Sequence, residues 1–590
     1  KLKYGGTNGT SHLNRHMSSC IKRTSDVQQT IIGRTPTGGI FSFTFSQMVA
    51  RKETVRYFVR EEVPFVKVEK PAFRRWMRKA FGPQFKPPCR ATMRNDVMQI
   101  FEQEKTVLKD LLQNIPGKIC LTSDMWTSNQ KLGYLCITAH FITKDWKLHK
   151  RVISFPMLPS PHTAMYANLL NWNICDKIGT VTLDNASNND SAVARLKDSL
   201  FENDFLSREL FHLRCSAHVI NLLVKDGLEH VLPSLENIRE SVRHIKSSQA
   251  KLQSFFACCE RLNMKKRRLP IDMCTRWDST YIMLFHAIPY QKVFDLFFYE
   301  SDFRYVPSLT DWNHATVIRD FFKIFYDSTR LFSGVHYVTS SSFCYQMSKI
   351  ACILKTIADV PSFKLMYNDM KLKYDKYWKP VPMALGLASI MDPRYKLQVL
   401  ELCLELNYES EFHSESIVSE RETKMFAYKS KLFEVFEVYQ KKLDNNVVGP
   451  SNAAPNVPQE VDMVSTLLSQ RREASYETSK SELHRYLDQP PLMIPQESAF
   501  DILDWWRTQE ASYPVLSAMA RDLLTIPVST VASESAFSGS ERVVSKYRSC
   551  LLPNVVEALT CLKDWFQAEE GTQDEEANEL EELMGEIEIN

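Results

Sequence analysis

Hydrophobic positions recur along this chain with two different periods, and the switches between them mark its parts. From Phe45 to about Gln113 apolar residues return every three or four positions, the spacing of an amphipathic helix. Aromatic and basic residues are interleaved there: Phe58, Phe65, Phe73, Trp76 and Phe81 among Arg56, Arg60, Arg74, Arg75, Arg78 and Lys79. Pro116-Gly117 punctuates, and the period drops to two. Ile119, Leu121 and Ser123 alternate with Cys120, Thr122 and Asp124. After a polar turn at Ser128-Asn129-Gln130, Leu135, Ile137, Ala139 and Phe141 alternate with Tyr134, Cys136, Thr138 and His140. A third run spans Lys150 to Leu158, so three short, tightly connected strands predict an antiparallel meander. A helical stretch then leads to Gly179-Thr-Val-Thr-Leu-Asp184, a β-branched run ending at an acid. A helix from Asp190 to Leu200 and a short apolar run at Leu210 to Leu213 follow. Strands succeeded by alternating helices and strands predict a mixed α/β sheet.

From about Ser216 to Lys441 the periodicity is helical almost throughout. Residues 442 to 462, with Asn-Asn, Gly-Pro, Ala-Ala-Pro and Val-Pro, read as a linker, and further helices run through Trp565. Ahead of the first helices, residues 1 to 25 are glycine-rich and basic, and 26 to 44 read as a Gly/Thr/Ser linker. The expected organisation is therefore 1–25, 26–44, 45–113, 114–225 as the first part of a sheet domain, 226–441 as a helical insertion, 442–462, 463–568 and a tail at 569–590.

Charge sharpens this picture through its distribution. The 590 residues carry 73 Lys/Arg against 70 Asp/Glu, a net +3 that points to no polyanionic partner. Yet Glu569 to Asn590 contain ten of those acids and no Lys or Arg, so the preceding 568 residues carry +13. The first 95 residues alone hold 19 Lys/Arg against five acids. A basic front fits a phosphate-binding footprint or a solvated basic surface, and charge complementarity lets the acidic tail shield it. A length of 590 residues predicts two to four structural units, and 44% hydrophobic with 24% charged residues is a soluble globular composition. Fourteen scattered cysteines without a Cys-x-x-Cys fit free thiols in a reducing compartment. No membrane span is expected: the uncharged window Val152 to Cys175 is broken by Pro156, Pro159 and Pro161.

Asp124 and Asp184 each end a predicted strand beside small polar residues. Carboxylates so placed suit a hard cation such as Mg²⁺, although an Asp after a strand also serves as an ordinary turn residue. Cys215 and His218 have the i, i+3 spacing that shares one helix face; a zinc site would need two further ligands.

Five motifs then occur in order: Asp124-Met-Trp-Thr-Ser-Asn-Gln, Thr182-Leu-Asp-Asn-Ala-Ser-Asn, Cys215-Ser-Ala-His218, Thr275-Arg-Trp-Asp-Ser-Thr-Tyr281 and Ser529-Thr-Val-Ala-Ser-Glu-Ser-Ala-Phe-Ser538. Together they resemble the hAT superfamily of DNA transposases, and especially its plant group with BED-type zinc fingers, which includes domesticated, transposase-derived members. The resemblance runs from about residue 5 to 566. It implies an α/β, ribonuclease-H-like mixed sheet interrupted by a large all-helical insertion, with an N-terminal helical region and a partial zinc finger. It also implies an Asp-Asp-Glu triad for magnesium or manganese, carried over to Asp124, Asp184 and Glu534, with Cys215 and His218 as active-site support. Trp277, next to Arg276, resembles the tryptophan that stacks on an extruded base; a buried structural tryptophan is the alternative. Arg74, Arg75, Arg78 and Lys79 are the remaining DNA-contact candidates.

His16 and Cys20 resemble the second ligand pair of a BED finger. The first pair is expected just before Lys1, so a missing N-terminal piece is expected and the zinc site in this sequence is incomplete. The stretch from about Ser481 resembles the hAT dimerisation region, implying a homodimer or higher homo-oligomer; Leu483, Tyr486, Trp505, Trp506 and Tyr513 read either as interface or as internal packing. Glu541 stands where relatives tend to show Gly-Gly-Arg, which puts catalytic competence in question. Lys265-Lys-Arg-Arg268 resembles a nuclear-import signal, and phosphate contact or a solvated turn read equally well. The resemblance thus implies a nuclear, dimeric DNA-binding protein with a regulatory role, or alternatively an active transposase that cuts and transfers DNA strands.

Overall fold

The computed structural model describes residues 30–34, 40–81, 85–128, 131–157, 164–186, 188–202, 204–273, 277–299, 302–408, 415–447, 481–495, 500–543 and 551–571. The chain divides into two units, one of residues 1–106 with 539–590, the other of 107–538. In chain order it opens with an antiparallel pair, β1 (Thr30–Arg34) and β2 (Ile40–Thr44), registered Thr30 to Thr44 and Arg34 to Ile40. A hairpin thus occupies the stretch expected as a linker at 26–44. The β-branched and aromatic runs Thr-Ile-Ile and Ile-Phe-Ser-Phe, flanking a Thr-Pro-Thr-Gly-Gly segment, carry a hairpin pattern that the surrounding glycines and threonines obscured. Helices α1 (Gln47–Arg60), α2 (Pro71–Phe81) and α3 (Arg90–Asn114) follow.

The larger unit is built on a five-stranded sheet of β3 (Ile119–Thr127), β4 (Gly133–Ile142), β5 (Leu148–Ser154), β6 (Ile178–Leu183) and β7 (His212–Arg214), in the order β5-β4-β3-β6-β7. The first three form the expected antiparallel meander, and β6 and β7 add in parallel. Residues 134–142 of β4 and 119–123 of β3 are buried without alternation, so both faces of the centre are covered, as a sheet flanked by helices requires. The chain enters β3 under tight constraint. A Cβ on Gly117 would lie 2.4 Å from an Asp522 carboxylate oxygen, which accepts hydrogen bonds from the Lys118 amide (2.7 Å, Oδ1) and, on its other oxygen, from the Tyr439 hydroxyl (2.5 Å).

Beyond β7 the 31-residue α4 (Ser216–Lys246) begins the helical insertion. The boundary expected at 225 falls inside this helix, because Val219, Ile220, Leu223, Val224, Leu228 and Val231 keep one unbroken buried stripe. Its core takes in Trp312, Phe321, Phe322 and Phe325 of the helix Leu309–Phe332. Helix α5 (Trp277–Ala287) is set by a buried ion pair: Arg239 of α4 meets Asp272 at 2.5 Å, and Asp272 also accepts from Ser279 (3.0 Å) and Thr280 (2.9 Å). The insertion's last helix reaches Val447, six residues into the expected linker; residues 448–462 lie outside the described residues.

Three C-terminal helices complete the description: α6 (Pro514–Leu524), α7 (Val531–Val543) and α8 (Pro553–Glu570). In the smaller unit α8 lies on α1 and α3, stacking Trp565 on Phe101 with centroids 5.4 Å apart. Lys563 reaches Glu62 at 2.8 Å, and Arg56 and Arg60 pair with Glu570, Arg56 also with Glu569. Glu569 and Glu570, counted with an acidic tail, are therefore the last turn of a helix that stops at Gly571 in the left-handed conformation (φ 70°). No helix among the described residues is long and apolar enough to cross a membrane.

Candidate active site and nucleic-acid face

Register alone brings the first two candidate acids together. Thr122 of β3 lies opposite Thr182 of β6 in a parallel pair. Asp124 stands two residues further on in β3 and Asp184 just past the end of β6, so both acids come to the C-terminal end of the same strand pair, close enough for the charge of Asp184 to act on Asp124. Neighbouring strands are about 4.8 Å apart. Asp124 Oδ1 accepts from the Met125 amide (2.7 Å). Asp184 accepts from the Ala186 amide (3.3 Å) and the Asn189 side chain.

Glu534 arrives 350 positions after Asp184, on the first turn of α7. Ser533, buried, sits between the cross-strand partners Thr122 (2.9 Å) and Thr138 (3.2 Å), and Thr122 also meets Nε2 of buried His140 at 3.1 Å. Phe537, one turn on, stacks on Trp126 (6.1 Å between centroids) and tilts against Phe155 (6.0 Å). The segment before α7 is tied to the sheet as well: Thr182 donates to the Pro527 carbonyl (2.7 Å), and the Ser216 amide to that of Val528 (2.8 Å). Thr530 then donates to Glu534 Oε1 at 2.9 Å.

Electrostatics report the same convergence. The Asp124 carboxyl is pushed up to about 7, first by burial and then by the charges of Glu534 and Asp184, with the Met125 amide opposing. Three carboxylates are a hard-oxygen donor set of the type that takes Mg²⁺ or Mn²⁺, and a divalent cation would relieve the repulsion among them. Among the described residues no three His, Cys, Asp or Glu side chains are close enough to share one ion; the acids face each other without closing a ligand set.

Cys215 does not share a helix face with His218. It is the N-cap of α4, its sulfur accepting from the His218 amide (3.4 Å) and the Thr530 amide (3.3 Å) and lying 3.3 Å from the Thr530 hydroxyl oxygen, whose proton goes to Glu534. Burial pushes its thiol up, which suits a neutral structural group. The link Cys215–Thr530–Glu534 is one that spacing could not reveal, since the first two are 315 positions apart. His218 is half-buried in the first turn of α4. Trp277 is buried, 9% exposed, and packs 6.5 Å from Phe322; the structure gives it a core position rather than a stacking surface, because Asp272 holds the start of α5 against the insertion core. Arg276, His16 and Cys20 lie outside the described residues.

The other DNA candidates share α2. Phe73 and Met77 point inward, while Arg75, Trp76, Arg78 and Lys79 are exposed. Arg74 is half-buried and donates to the Val68 carbonyl at 3.2 Å. The contrast with α1 is one of charge compensation. Arg51 of α1 pairs with Asp96 at 2.5 Å, and Arg56 and Arg60 pair with the end of α8. Among the described residues, Arg75, Arg78 and Lys79 enter no ion pair.

Most of the aromatic residues near the C-terminus are internal. Tyr486 and Trp506 are fully buried, donating to the carbonyls of Ile390 (2.9 Å) and Met391 (3.0 Å), and Leu483 and Tyr513 are buried too. Trp505 is half-buried, so a dimer surface in this region would draw on it or on side chains other than these four.

Comparison with known proteins bears on the whole arrangement. Residues 482–566 match the hAT family C-terminal dimerisation region, 122–210 the ZBED1 RNase-like domain and 213–321 the ZBED1 RNase-like helical domain. Residues 342–439 match the hAT-like transposase, RNase-H fold, although that stretch is helical here and the sheet lies at 119–214. The chain is 31% identical to the zinc finger BED domain-containing protein RICESLEEPER 2 of Oryza sativa subsp. japonica, covering 95% of this chain and 83% of that protein. It is 31% identical to the "Putative AC transposase" of Zea mays over 96% of this chain and 72% of that protein. With the zinc finger BED domain-containing protein DAYSLEEPER of Arabidopsis thaliana it shares 29% identity over 88% of this chain and 74% of that protein.

Proposed function

The chain belongs to the hAT superfamily of DNA transposases and transposase-derived proteins, and from that premise we propose that it is a nuclear, homodimeric protein that binds DNA and regulates through that binding. The observation that carries this reading is the α2 face. Three exposed cations stand there that enter no ion pair among the described residues, while the arginines of α1 are neutralised within the fold. A cation row left to solvent is a surface for a polyanion. His16 and Cys20 would add two ligands of a zinc finger on the same basic front. Measured by anisotropy with the full chain, duplex DNA affinity falls at least tenfold when Arg75, Arg78 and Lys79 are replaced together by Ala. Unchanged affinity contradicts the reading.

A second reading, the metal-dependent cutting and transfer of DNA strands, is favoured by a separate observation, the approach of Asp124, Asp184 and Glu534 at the C-terminal ends of the inner strands β3 and β6. These residues would hold Mg²⁺ or Mn²⁺, which supplies Lewis-acid stabilisation of charge on a phosphodiester. The chain's own contribution is placement: Ser533, Phe537 and Thr530 hold Glu534 towards the two aspartates. Incubation with Mn²⁺ and terminal-repeat DNA separates the two. Nicking that disappears with Asp184→Asn establishes the cutting activity, and intact DNA under saturating binding leaves binding alone.

A further inference from the structure

Beside the cation row, α2 carries an aromatic feature that phosphate contact leaves unused. Trp76 is 52% exposed and Tyr57 of α1 is 46% exposed. Both line an open groove of about 820 Å³ whose rim holds Lys67 and Lys70. A second depression of about 770 Å³, also lined by α2, is formed by Arg74, Arg78, Lys79 and Lys86. No carboxylate lines either one, and among the described residues Lys67 and Lys70 enter no ion pair.

A large ring is retained at the surface here although the same helix buries Phe73 and Met77. Glu53 lies on the far side of the two rings, in an adjoining apolar pocket that they also line, but the groove itself joins exposed apolar surface to cations, which suits a ligand that is both flat and anionic. Duplex DNA supplies the anion but keeps the faces of its bases stacked away. An unpaired nucleotide supplies both, since aromatic rings stack on any base while neighbouring cations take its phosphates.

We propose that the groove between Tyr57 and Trp76 is a binding site for unpaired bases of single-stranded DNA, with Lys67, Lys70 and the Arg78–Lys79 depression on the flanking phosphates. This deepens the DNA-binding reading and rests on it. The site gives the protein a preference for melted or flayed DNA in addition to its hold on duplex.

The test uses the full chain with fluorescein-labelled oligo-dT, the same oligomer made wholly of abasic sites, and a duplex of equal length. Trp76→Ala lowers oligo-dT affinity about tenfold, Trp76→Phe restores most of it, and duplex affinity moves less than twofold. On the abasic oligomer Trp76→Ala has no effect. Because Trp76 also packs edge-on against Phe73 (5.7 Å between centroids), Trp76→Phe, which keeps a ring there, is the fold control, and its circular dichroism and thermal midpoint stay at the wild-type values. Three results overturn the proposal: equal losses on oligo-dT and duplex, no loss on oligo-dT, or a shift from dimer to monomer in sedimentation with DNA affinity unchanged, which assigns the groove to a second copy. Preferential capture of an acidic peptide also overturns it. Failure of the wild type to bind either DNA form instead overturns the DNA-binding reading itself.

Discussion

Asp124 holds its proton to about pH 7, whereas the same side chain in the unfolded chain releases it near 3.8. The folded state therefore binds the extra proton between those values, and stability falls as pH climbs through that window. Asp124→Asn removes the penalty: at pH 8 the variant is more stable by about 1–2 kcal/mol, allowing for solvent around a partly buried carboxyl, and near pH 3.5 the two proteins coincide. Denaturant midpoints at both pH values check this; a variant less stable at pH 8 contradicts the burial and charge assigned to Asp124. At this scale the sequence was legible where chemistry follows local position. An acid two residues beyond a strand threonine is visible in the pattern, and the parallel register then aligns Asp124 with Asp184. Cys215 was not legible in the same way. Its i, i+3 relation to His218 suggests a shared helix face, but the helix begins after Cys215, and its decisive partner, Thr530, is brought in only by tertiary folding. Trp277 sits in a recognisable motif, and nothing in that motif says that its ring is buried beside Phe322.

At the scale of elements, the change from a period near 3.6 to one of two located the meander, and the return to 3.6 located the insertion, because periodicity records which faces are buried. The boundaries blurred where one stripe serves two structural roles, as in α4, which starts at the sheet edge and ends deep in the insertion. Helix α7 shows the limit most clearly. Val-Ala-Ser-Glu-Ser-Ala-Phe reads as an unremarkable helix start, yet Ser533 and Phe537 dock it against β3 and β4. Phe537→Ala is expected to cost about 1–3 kcal/mol locally, less than the full loss of a buried phenylalanine because the ring is half-buried. Hydrogen exchange at residues 531–538 would then speed up about tenfold or more while the Leu309–Phe332 helix keeps its protection. Unaltered exchange at 531–538 contradicts the docking role.

For the whole molecule, the net charge of +3 conceals two kinds of basic residue. Some are consumed inside the fold: Arg56 and Arg60 are held by Glu569 and Glu570, which the sequence groups with an acidic tail and the structure places on α8. Others, Arg75, Arg78 and Lys79 on α2, enter no ion pair among the described residues. Composition registers both alike, so only the three-dimensional pairing singles out the face proposed here for DNA. That claim is tested most directly by the salt dependence of duplex binding. Each phosphate contact contributes about 0.9 to the slope of log K against log salt. Replacing Arg75, Arg78 and Lys79 with Ala is predicted to lower the magnitude of the slope by about 2–3. A slope equal to that of the wild type contradicts the assignment of α2 as the DNA-binding face.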